Sequence, residues 1–258
     1  YYKKITSQKC CSVFHYNESL GEKNSVKKAE QELKNRYESL ENKYDKFLAE
    51  NYDYKANTYE TNKINLLSNP TSLYTKQPTV YYGLMYLAKN AKKEVKIHTP
   101  YIICNDYMYN ELKNIKVPTT IMTNSAENNG NIFGAVDYLN HKKDIINTGV
   151  TIKEYEGGIS YHGKSMTIDD DIAIVGSFNM DMRSAYIDTE LMLVINSKDI
   201  NKQLKASMEE YEKKAATVKN ETEYSHIPEG MKMKELSDKK KNIKAWFGWA
   251  MNGLRFLF

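Results

Sequence analysis

The order of apolar and polar residues predicts short strands and helices that alternate along residues 61–218. A short apolar run or strict alternation predicts a strand, and apolar residues at steps of three and four predict a helix. The predicted strands lie at 64–68, 94–103, 117–123, 150–157, 162–169, 172–175 and 187–195. The predicted helices lie at 80–90, 131–147 and 197 to about 218. This order predicts an α/β fold, a mixed β-sheet flanked by helices, with helical N- and C-terminal extensions.

A long amphipathic helix is predicted before the sheet, from Glu22 to Asn51. Its apolar stripe consists of Val26, Ala29, Leu33, Tyr37, Leu40, Tyr44 and Phe47. We favour a solvated helix that packs this stripe on the rest of the protein over a coiled-coil partner, because the stripe has few clean turns and is partly tyrosine. The chain is therefore predicted to divide into a helical extension and linker (1–60), an α/β domain (61–218) and a C-terminal segment (219–258).

The C-terminal segment ends in a second amphipathic pattern, preceded by three lysines at 239–241. One helical face carries Ile243, Trp246, Phe247, Ala250, Met251, Leu254, Leu257 and Phe258. A basic helix with two tryptophans is typical of an interfacial helix attracted to anionic lipid. A terminal helix that docks on its own domain explains the same pattern, so both interpretations stay open.

Charge along the chain argues against a nucleic-acid groove. The net charge is +4, from 37 basic and 33 acidic residues. Five basic residues and no acidic residue lie between 239 and 258, so the rest of the chain has no basic excess. A nuclease groove is expected to be lined with Lys and Arg. Nucleic acid is therefore not favoured as a partner.

The cysteines and the apolar runs exclude several other classes. Cys10, Cys11 and Cys104 form no C-x-x-C pair, which disfavours a disulfide framework or a structural zinc site and indicates a reduced compartment. Cys10 and Cys11 are interpreted as ordinary thiols in preference to an acylation site. The sequence contains no run of 18 apolar residues, so it predicts no transmembrane helix. The chain starts with Tyr1, from which we expect a longer reading frame or a processed fragment.

Residues 161–190, YHGKSMTIDDDIAIVGSFNMDMRSAYIDTE, carry most of the readable chemistry. Alternation along the predicted strand places His162 and Lys164 on one face. Three aspartates at 169–171 predict a turn, and Gly176 and Ser177 predict a bend after the next strand. Asn179 is then expected to return to the face of His162.

These residue types suit a tetrahedral phosphoryl group. Lys164 supplies positive charge, and Ser177 and Asn179 supply neutral donors. The imidazole of His162 is the candidate nucleophile or acid and base. Glu190 is the carboxylate expected to orient His162, whereas Asp169 is expected to fix a turn through hydrogen bonds.

The same residues resemble a known family. HGKSMTID, six residues and GSFN match the signature H-x-K-x4-D-x6-G-S-x-N of the phospholipase D superfamily, called the HKD motif. The continuation NMDMRSAYIDTE resembles the cardiolipin synthase branch. The resemblance implies a phospholipase D-like half domain and phosphodiester exchange through a phosphohistidine, without metal or another cofactor. Weaker likeness at 98–103 and 122–129 implies that Tyr101, Asn124 and Ser125 border the cleft, although helix capping explains Asn124 and Ser125 equally well. For His98 an ordinary strand histidine is favoured.

The family needs two copies of the motif for one site, and this chain has one. His141-Lys142-Lys143 imitates the start of the motif, but it lies in a predicted helix and is rejected as a second copy. The favoured hypothesis is therefore one half of a phosphatidyltransferase, with phospholipid substrates, at the cytoplasmic face of the membrane. A homodimeric single-motif phosphodiesterase or nuclease and a non-catalytic lipid-binding scaffold are the alternatives.

Overall fold

A computed structural model describes residues 18–48, 53–72, 74–247, Gly253 and Arg255. The chain divides into two compact units, Tyr1–Thr58 and Tyr59–Phe258. Cys10, Cys11 and the apolar tail positions at 250, 251, 254, 257 and 258 lie outside the described residues. The predictions for them therefore stay predictions.

The first unit contains the predicted long helix. Its described elements are α1 (Glu18–Gly21) and α2 (Asn24–Leu48). The predicted helix is confirmed over Asn24–Leu48, with a slightly later start than predicted, and residues 49–51 lie outside the described residues. Leu33, Tyr37 and Leu40 of the predicted stripe are each more than half exposed.

The second unit alternates strands with helices. Its strands are β1 (Lys63–Ser68), β2 (Val95–His98), β3 (Ile102–Ile103), β4 (Thr119–Asn124), β5 (Thr151–Tyr155), β6 (Ser165–Ile168), β7 (Ile172–Gly176), β8 (Met180–Asp181), β9 (Leu191–Asn196), β10 (Ala215–Val218) and β11 (Tyr224–His226). Its helices are α3 (Thr79–Lys89), α4 (Asp106–Lys113), α5 (Ile132–Ile146), α6 (Met182–Tyr186), α7 (Lys198–Glu212) and α8 (Asp238–Phe247).

Nine strands form one mixed sheet in the order β1-β9-β7-β6-β2-β4-β5-β10-β11. The pairs β2–β4 and β4–β5 are parallel, and the other neighbours are antiparallel. The short strands β3 and β8 pair separately and in parallel. The predicted fold class, a mixed β-sheet flanked by helices, is confirmed.

Alternation within the strands builds the core. Met166, Ile174 and Val194 follow one another across β6, β7 and β9, and all three are buried. They belong to one apolar cluster with Leu84 and Met85 of α3. Because strand side chains alternate between faces, the residues between them point to the other face of the sheet.

Two predicted elements have different bounds for local reasons. The strand predicted at 94–103 is two strands, because Pro100 has no N–H for a ladder and interrupts it after His98. The helix predicted to about residue 218 ends at Glu212. Ala215–Val218 is instead strand β10, which pairs antiparallel with β5 and gives its backbone groups hydrogen-bond partners, while Ala215 and Ala216 are buried.

The C-terminal segment belongs to the second compact unit, although the sequence predicts a separate linker and helix. Lys240 is 7% exposed, and its Nζ donates to the carbonyl oxygens of Ala126 (2.8 Å) and Asn129 (3.0 Å). Arg255 forms an ion pair with buried Asp137, with Nε 2.6 Å from Oδ1. These two cations hold the described part of the tail on its own domain, which favours the docking interpretation.

Within the described ranges, the helices are all too short or too polar to cross a membrane.

Candidate functional site

His162 and Lys164 lie in the loop that leads into β6, a central strand of the sheet. His162 and Lys164 directly precede β6, whose predicted start at residue 162 is therefore too early. Ser165 pairs with His98, the last residue of β2. The loop consequently lies beyond the carboxyl end of β2, which is where ligand sites of α/β sheets commonly form.

His162 and Lys164 are in direct contact. The Lys164 Nζ lies 2.9 Å from His162 Nδ1 and 3.3 Å from Nε2, and donates to the His162 carbonyl oxygen at 2.8 Å. Partial burial and the nearby Lys164 charge lower the pKa of His162 below its ordinary value. Burial also lowers the pKa of Lys164. The imidazole is therefore mostly neutral at pH 7, with a cation beside it.

The ring of His162 also packs against Tyr101. The two ring centroids are 6.0 Å apart, with the rings nearly perpendicular at 73°. Tyr101 comes from the segment between β2 and β3, which Pro100 turns away from the main sheet. The proline break therefore places the Tyr101 ring beside the imidazole.

Gly176 permits the close approach that leads into Ser177. A Cβ atom at residue 176 would lie 2.1 Å from the Leu191 carbonyl oxygen and 2.8 Å from the Met192 Cα. Since both are backbone atoms, a side chain would push β9 away. The glycine of the signature is thus a packing requirement of the β7–β9 pair.

Glu190 organises the polar end of β7. Its side chain is buried at 6% exposure, accepts a hydrogen bond from Ser177 Oγ and accepts a second from Ser184 Oγ at 2.9 Å. The sequence predicts that Glu190 orients His162 from within a strand. Instead Glu190 precedes β9. Its described hydrogen bonds go to the two serines, with Ser177 at one carboxylate oxygen and Ser184 at the other.

Asn179 lies in the same group of polar side chains. Its backbone N–H donates to Ser184 Oγ at 3.3 Å. Its side-chain oxygen is buried and has no hydrogen-bond partner among the residues that the structure describes. A buried acceptor of this kind is costly unless a ligand or solvent supplies a donor.

Asp181 caps α6 beside this group. Its carboxylate accepts from the Ser184 backbone N–H at 2.6 Å, and the residue is 3% exposed. Burial raises its pKa to about 6, against the opposing effect of the Ser184 hydrogen bonds. The sequence signals Asp181 and Ser184 only through the resemblance of NMDMRSAYIDTE to the cardiolipin synthase branch, and it does not show that the two residues cap α6 together.

Asp169 lies at the other end of β6 and has a structural role. Its carboxylate accepts hydrogen bonds from the backbone N–H groups of Lys92 (2.9 Å), Lys93 (2.7 Å) and Glu94 (3.2 Å). Burial opposes its ionisation, but these three donors outweigh it and lower the pKa. Asp169 thus ties the β6–β7 turn to the chain entering β2, and it has a left-handed backbone with φ of 51°.

Asn124 clamps the residue before the histidine. Its Oδ1 accepts from the Tyr161 N–H at 2.7 Å, and its Nδ2 donates to the Tyr161 carbonyl oxygen at 2.9 Å. Asn124 is 1% exposed and ends strand β4. A side-chain amide therefore replaces a strand neighbour for Tyr161 and fixes the loop that carries His162.

Two buried polar side chains, His98 and Glu212, form a row of hydrogen-bond contacts that ends at the Tyr161 hydroxyl. His98 Nδ1 lies 3.3 Å from Tyr161 Oη, and His98 Nε2 lies 3.2 Å from Glu212 Oε1. Burial lowers the pKa of His98. Burial opposes the ionisation of Glu212, but His98 and Lys153 lower its pKa to about 2. His98 is 1% exposed, so it supports the loop from within the sheet.

An open cleft of about 740 Å³ begins at His162 and Lys164. Its other walls come from β5, the 157–161 loop, β7 and α7, and include Tyr155, Ile159, Tyr161, Val175, Leu204 and Tyr211. The volume lies in the range of small-molecule sites. The cleft thus combines apolar and aromatic side chains with two lysines, Lys164 beside His162 and Lys214 after α7.

The structure leaves the imitation motif at 141–143 without a catalytic setting. Those residues lie within α5, and Lys142 is buried in an ion pair with Glu154, at 2.7 Å. His141 Nδ1 lies 3.0 Å from the Asp137 carbonyl oxygen of the same helix. Its rejection as a second motif agrees with this placement.

Comparison with known sequences assigns the domain. The family model described as "Cardiolipin synthase, PLD-like domain" matches residues 84–211. Cardiolipin synthase 1 of Staphylococcus epidermidis is 30% identical over 159 residues, which are 60% of this chain and 32% of that protein. A cardiolipin synthase of Staphylococcus aureus is 31% identical over 129 residues, 49% of this chain and 26% of that protein. The chain therefore spans at most about a third of these relatives.

Comparison with solved structures supports the same fold. Phosphatidylserine synthase of Haemophilus influenzae superposes with a TM-score of 0.54 and 15% sequence identity, over 76% of this chain and 48% of that one. At that identity the likeness concerns the fold alone. The family model and the sequence relatives identify the chain as a cardiolipin synthase-like member of the phospholipase D superfamily, and the shared fold agrees with this.

Proposed function

We propose that this chain supplies one half of a phosphatidyltransferase site of the cardiolipin synthase type. The observation that carries the proposal is the contact between the His162 imidazole and the Lys164 Nζ, 2.9 Å apart, at the end of an open cleft. Burial and the Lys164 charge lower the pKa of His162, which favours the neutral imidazole. A nucleophilic nitrogen must be unprotonated, and the phosphoryl oxygens need a positive neighbour. The cardiolipin synthase relatives support phospholipids as the substrates.

The proposed reaction has two steps. A nitrogen of His162 attacks phosphorus, so that a P–N bond forms and the P–O bond to the leaving alcohol breaks. A histidine of a second motif gives its proton to the departing oxygen. An acceptor alcohol then returns a proton to that histidine while its oxygen attacks phosphorus and the P–N bond breaks.

The neighbouring groups have separate tasks in this scheme. Lys164 stabilises the charge that develops on the phosphoryl oxygens, and the amide of Asn179 donates hydrogen bonds to them. Ser177, predicted as a second donor, gives its single hydroxyl proton to Glu190 and so has a supporting task. Glu190 holds the Ser177 hydroxyl in position. We further propose peripheral association with the cytoplasmic face of a membrane, to which exposed Trp246 and the lysines at 239, 241 and 244 contribute.

Labelling tests the proposal. The chain is combined with a separately produced half that contains the second motif, incubated with a phospholipid labelled with ³²P, and quenched in alkali, in which phosphohistidine survives. We expect label on the chain that is lost in His162→Ala. A combined sample without His162-dependent label and without lipid exchange would refute the catalytic role and favour a lipid-binding scaffold.

A further inference from the structure

An apolar row crosses four strands and ends beside the phosphoryl site. Leu66 of β1 lies opposite Leu193 of β9, Leu193 lies opposite Val175 of β7, and Val175 lies opposite Ser165 of β6. Directly opposed residues share a face, so these side chains form one line. Three strand spacings give the row a length of about 14 Å from Leu66 to Ser165.

The row is open to solvent. Leu66 is 60% exposed and Val175 is 37% exposed, while Leu193 between them is partly buried. Ile64, two residues before Leu66 on the same face of β1, is 53% exposed. Leu67 points to the opposite face, where its side chain meets Gly83 of α3, so the row lies outside the main core. Contiguous exposed apolar side chains of this kind mark binding surfaces.

The row is continuous with the cleft at His162. Val175 and Ser165 line that cleft together with His162, Lys164 and Leu204. The row therefore runs from the cleft wall outward to the sheet edge at β1. Its four members carry no charge, whereas the cleft end carries the Lys164 ammonium.

This distribution of charge complements an amphiphile with an anionic phosphodiester and an apolar chain. We propose that the row formed by Leu66, Leu193 and Val175 binds an acyl chain of a glycerophospholipid whose phosphodiester lies at His162 and Lys164. The inference rests on the proposed function and adds to it the path of the acyl chain. It also makes diacyl lipids better ligands than their deacylated headgroups.

Binding of soluble lipids to the full chain tests the row. Glycerophosphoglycerol and the dibutanoyl, dihexanoyl and dioctanoyl phosphatidylglycerols are titrated below their micelle concentrations, and dissociation constants are measured by calorimetry. Affinity is expected to rise up to about fourfold for each methylene that the row covers. Leu66→Gln is expected to weaken dioctanoyl lipid binding about tenfold, with glycerophosphoglycerol binding unchanged.

Leu33→Gln is the matched control, because Leu33 is an equally exposed leucine on α2, at 65%. The inference is overturned if Leu66→Gln and Leu33→Gln bind every lipid as the unchanged chain does. Sedimentation provides the second readout. A dimer that Leu66→Gln dissociates, with lipid binding unaltered, would overturn it as well and assign the row to contact between copies. Phosphohistidine labelling, measured separately, shows whether the proposed function itself fails.

Discussion

Replacing Asn124 by alanine tests how the loop that carries His162 is held in place. The substitution removes both hydrogen bonds to the backbone of Tyr161, one to the Pro100 carbonyl oxygen at 3.3 Å and one from Asn128 Nδ2 at 3.2 Å. It leaves the Tyr161 N–H and carbonyl without their side-chain partner. Because residue 161 directly precedes His162, the loop loses its attachment to β4 next to the His162 side chain.

The contacts set the expected magnitude. Each of the four hydrogen bonds contributes about 1 kcal/mol net, and buried groups left unpaired add to the cost. We therefore expect Asn124→Ala to lower the free energy of unfolding by about 3–5 kcal/mol. That is a large part of the free energy of unfolding of a typical domain, which is roughly 5 to 15 kcal/mol.

Urea denaturation followed by circular dichroism measures this loss, and the ring signals of His162 in NMR spectra report loop order. Asn110→Ala is the control, because Asn110 is exposed on α4 and its change should stay within about 0.5 kcal/mol. The reasoning is refuted if Asn124→Ala unfolds like Asn110→Ala and its His162 signals are unchanged. In that case the packing of Tyr161 would hold the loop without the amide.

Further predictions concern single side chains. Lys164→Gln should raise the pKa of His162, because the substitution removes a nearby positive charge. Burial should still keep that pKa below the ordinary 6.5, and an NMR titration of His162 in the variant and in the unchanged chain measures the two pKa values. His162→Ala should abolish phosphoryl transfer in the combined enzyme with almost no change in melting temperature, since the side chain is exposed; a clearly lower melting temperature would contradict this. Asp169→Ala should cost about 1–2 kcal/mol at pH 7 through three lost backbone hydrogen bonds. The folded-state pKa of Asp169 is lowered, so the contribution of its carboxylate is present above about pH 4 and is lost as the pH falls. The difference between the variant and the unchanged chain should therefore shrink in acid, but not to zero, because alanine is disfavoured at this left-handed position at every pH. Arg255→Ala should lower the free energy of unfolding by about 2–4 kcal/mol, because Asp137 keeps a buried charge; an unchanged urea midpoint would exclude the docked tail.

Local patterns in the sequence predict much of this fold because strand and helix periods are local properties. The alternation around Met166 and the apolar run before Gly176 are readable without the structure, and both became strands. Ala215–Val218 was not readable in this way, since two alanines suit the end of a helix as well as a strand. Its pairing with β5, more than fifty residues away, decided the outcome.

The candidate site shows the same limit more sharply. The signature places His162 and Lys164 together because only Gly163 lies between them in the chain. Asn124 and Tyr161 are 37 residues apart, and His98 and Glu212 are 114 apart, so no local pattern could pair them. The sequence indicates that Glu190 is a buried acid, but it does not indicate that Glu190 binds two serines. These partners depend on how α6 packs beside the end of β7.

The electrostatics of this half favour one of the two roles open to its histidine. A general acid must carry a proton at the working pH, and a nucleophile must not. Burial and Lys164 both disfavour the protonated form of His162, and the described carboxylates hydrogen-bond to other groups. A second lysine-bound histidine with the same bias would leave the leaving alcohol without a proton donor. The half that completes the site should therefore hold its histidine against a carboxylate, which raises the pKa of that histidine and leaves the attack on phosphorus to His162.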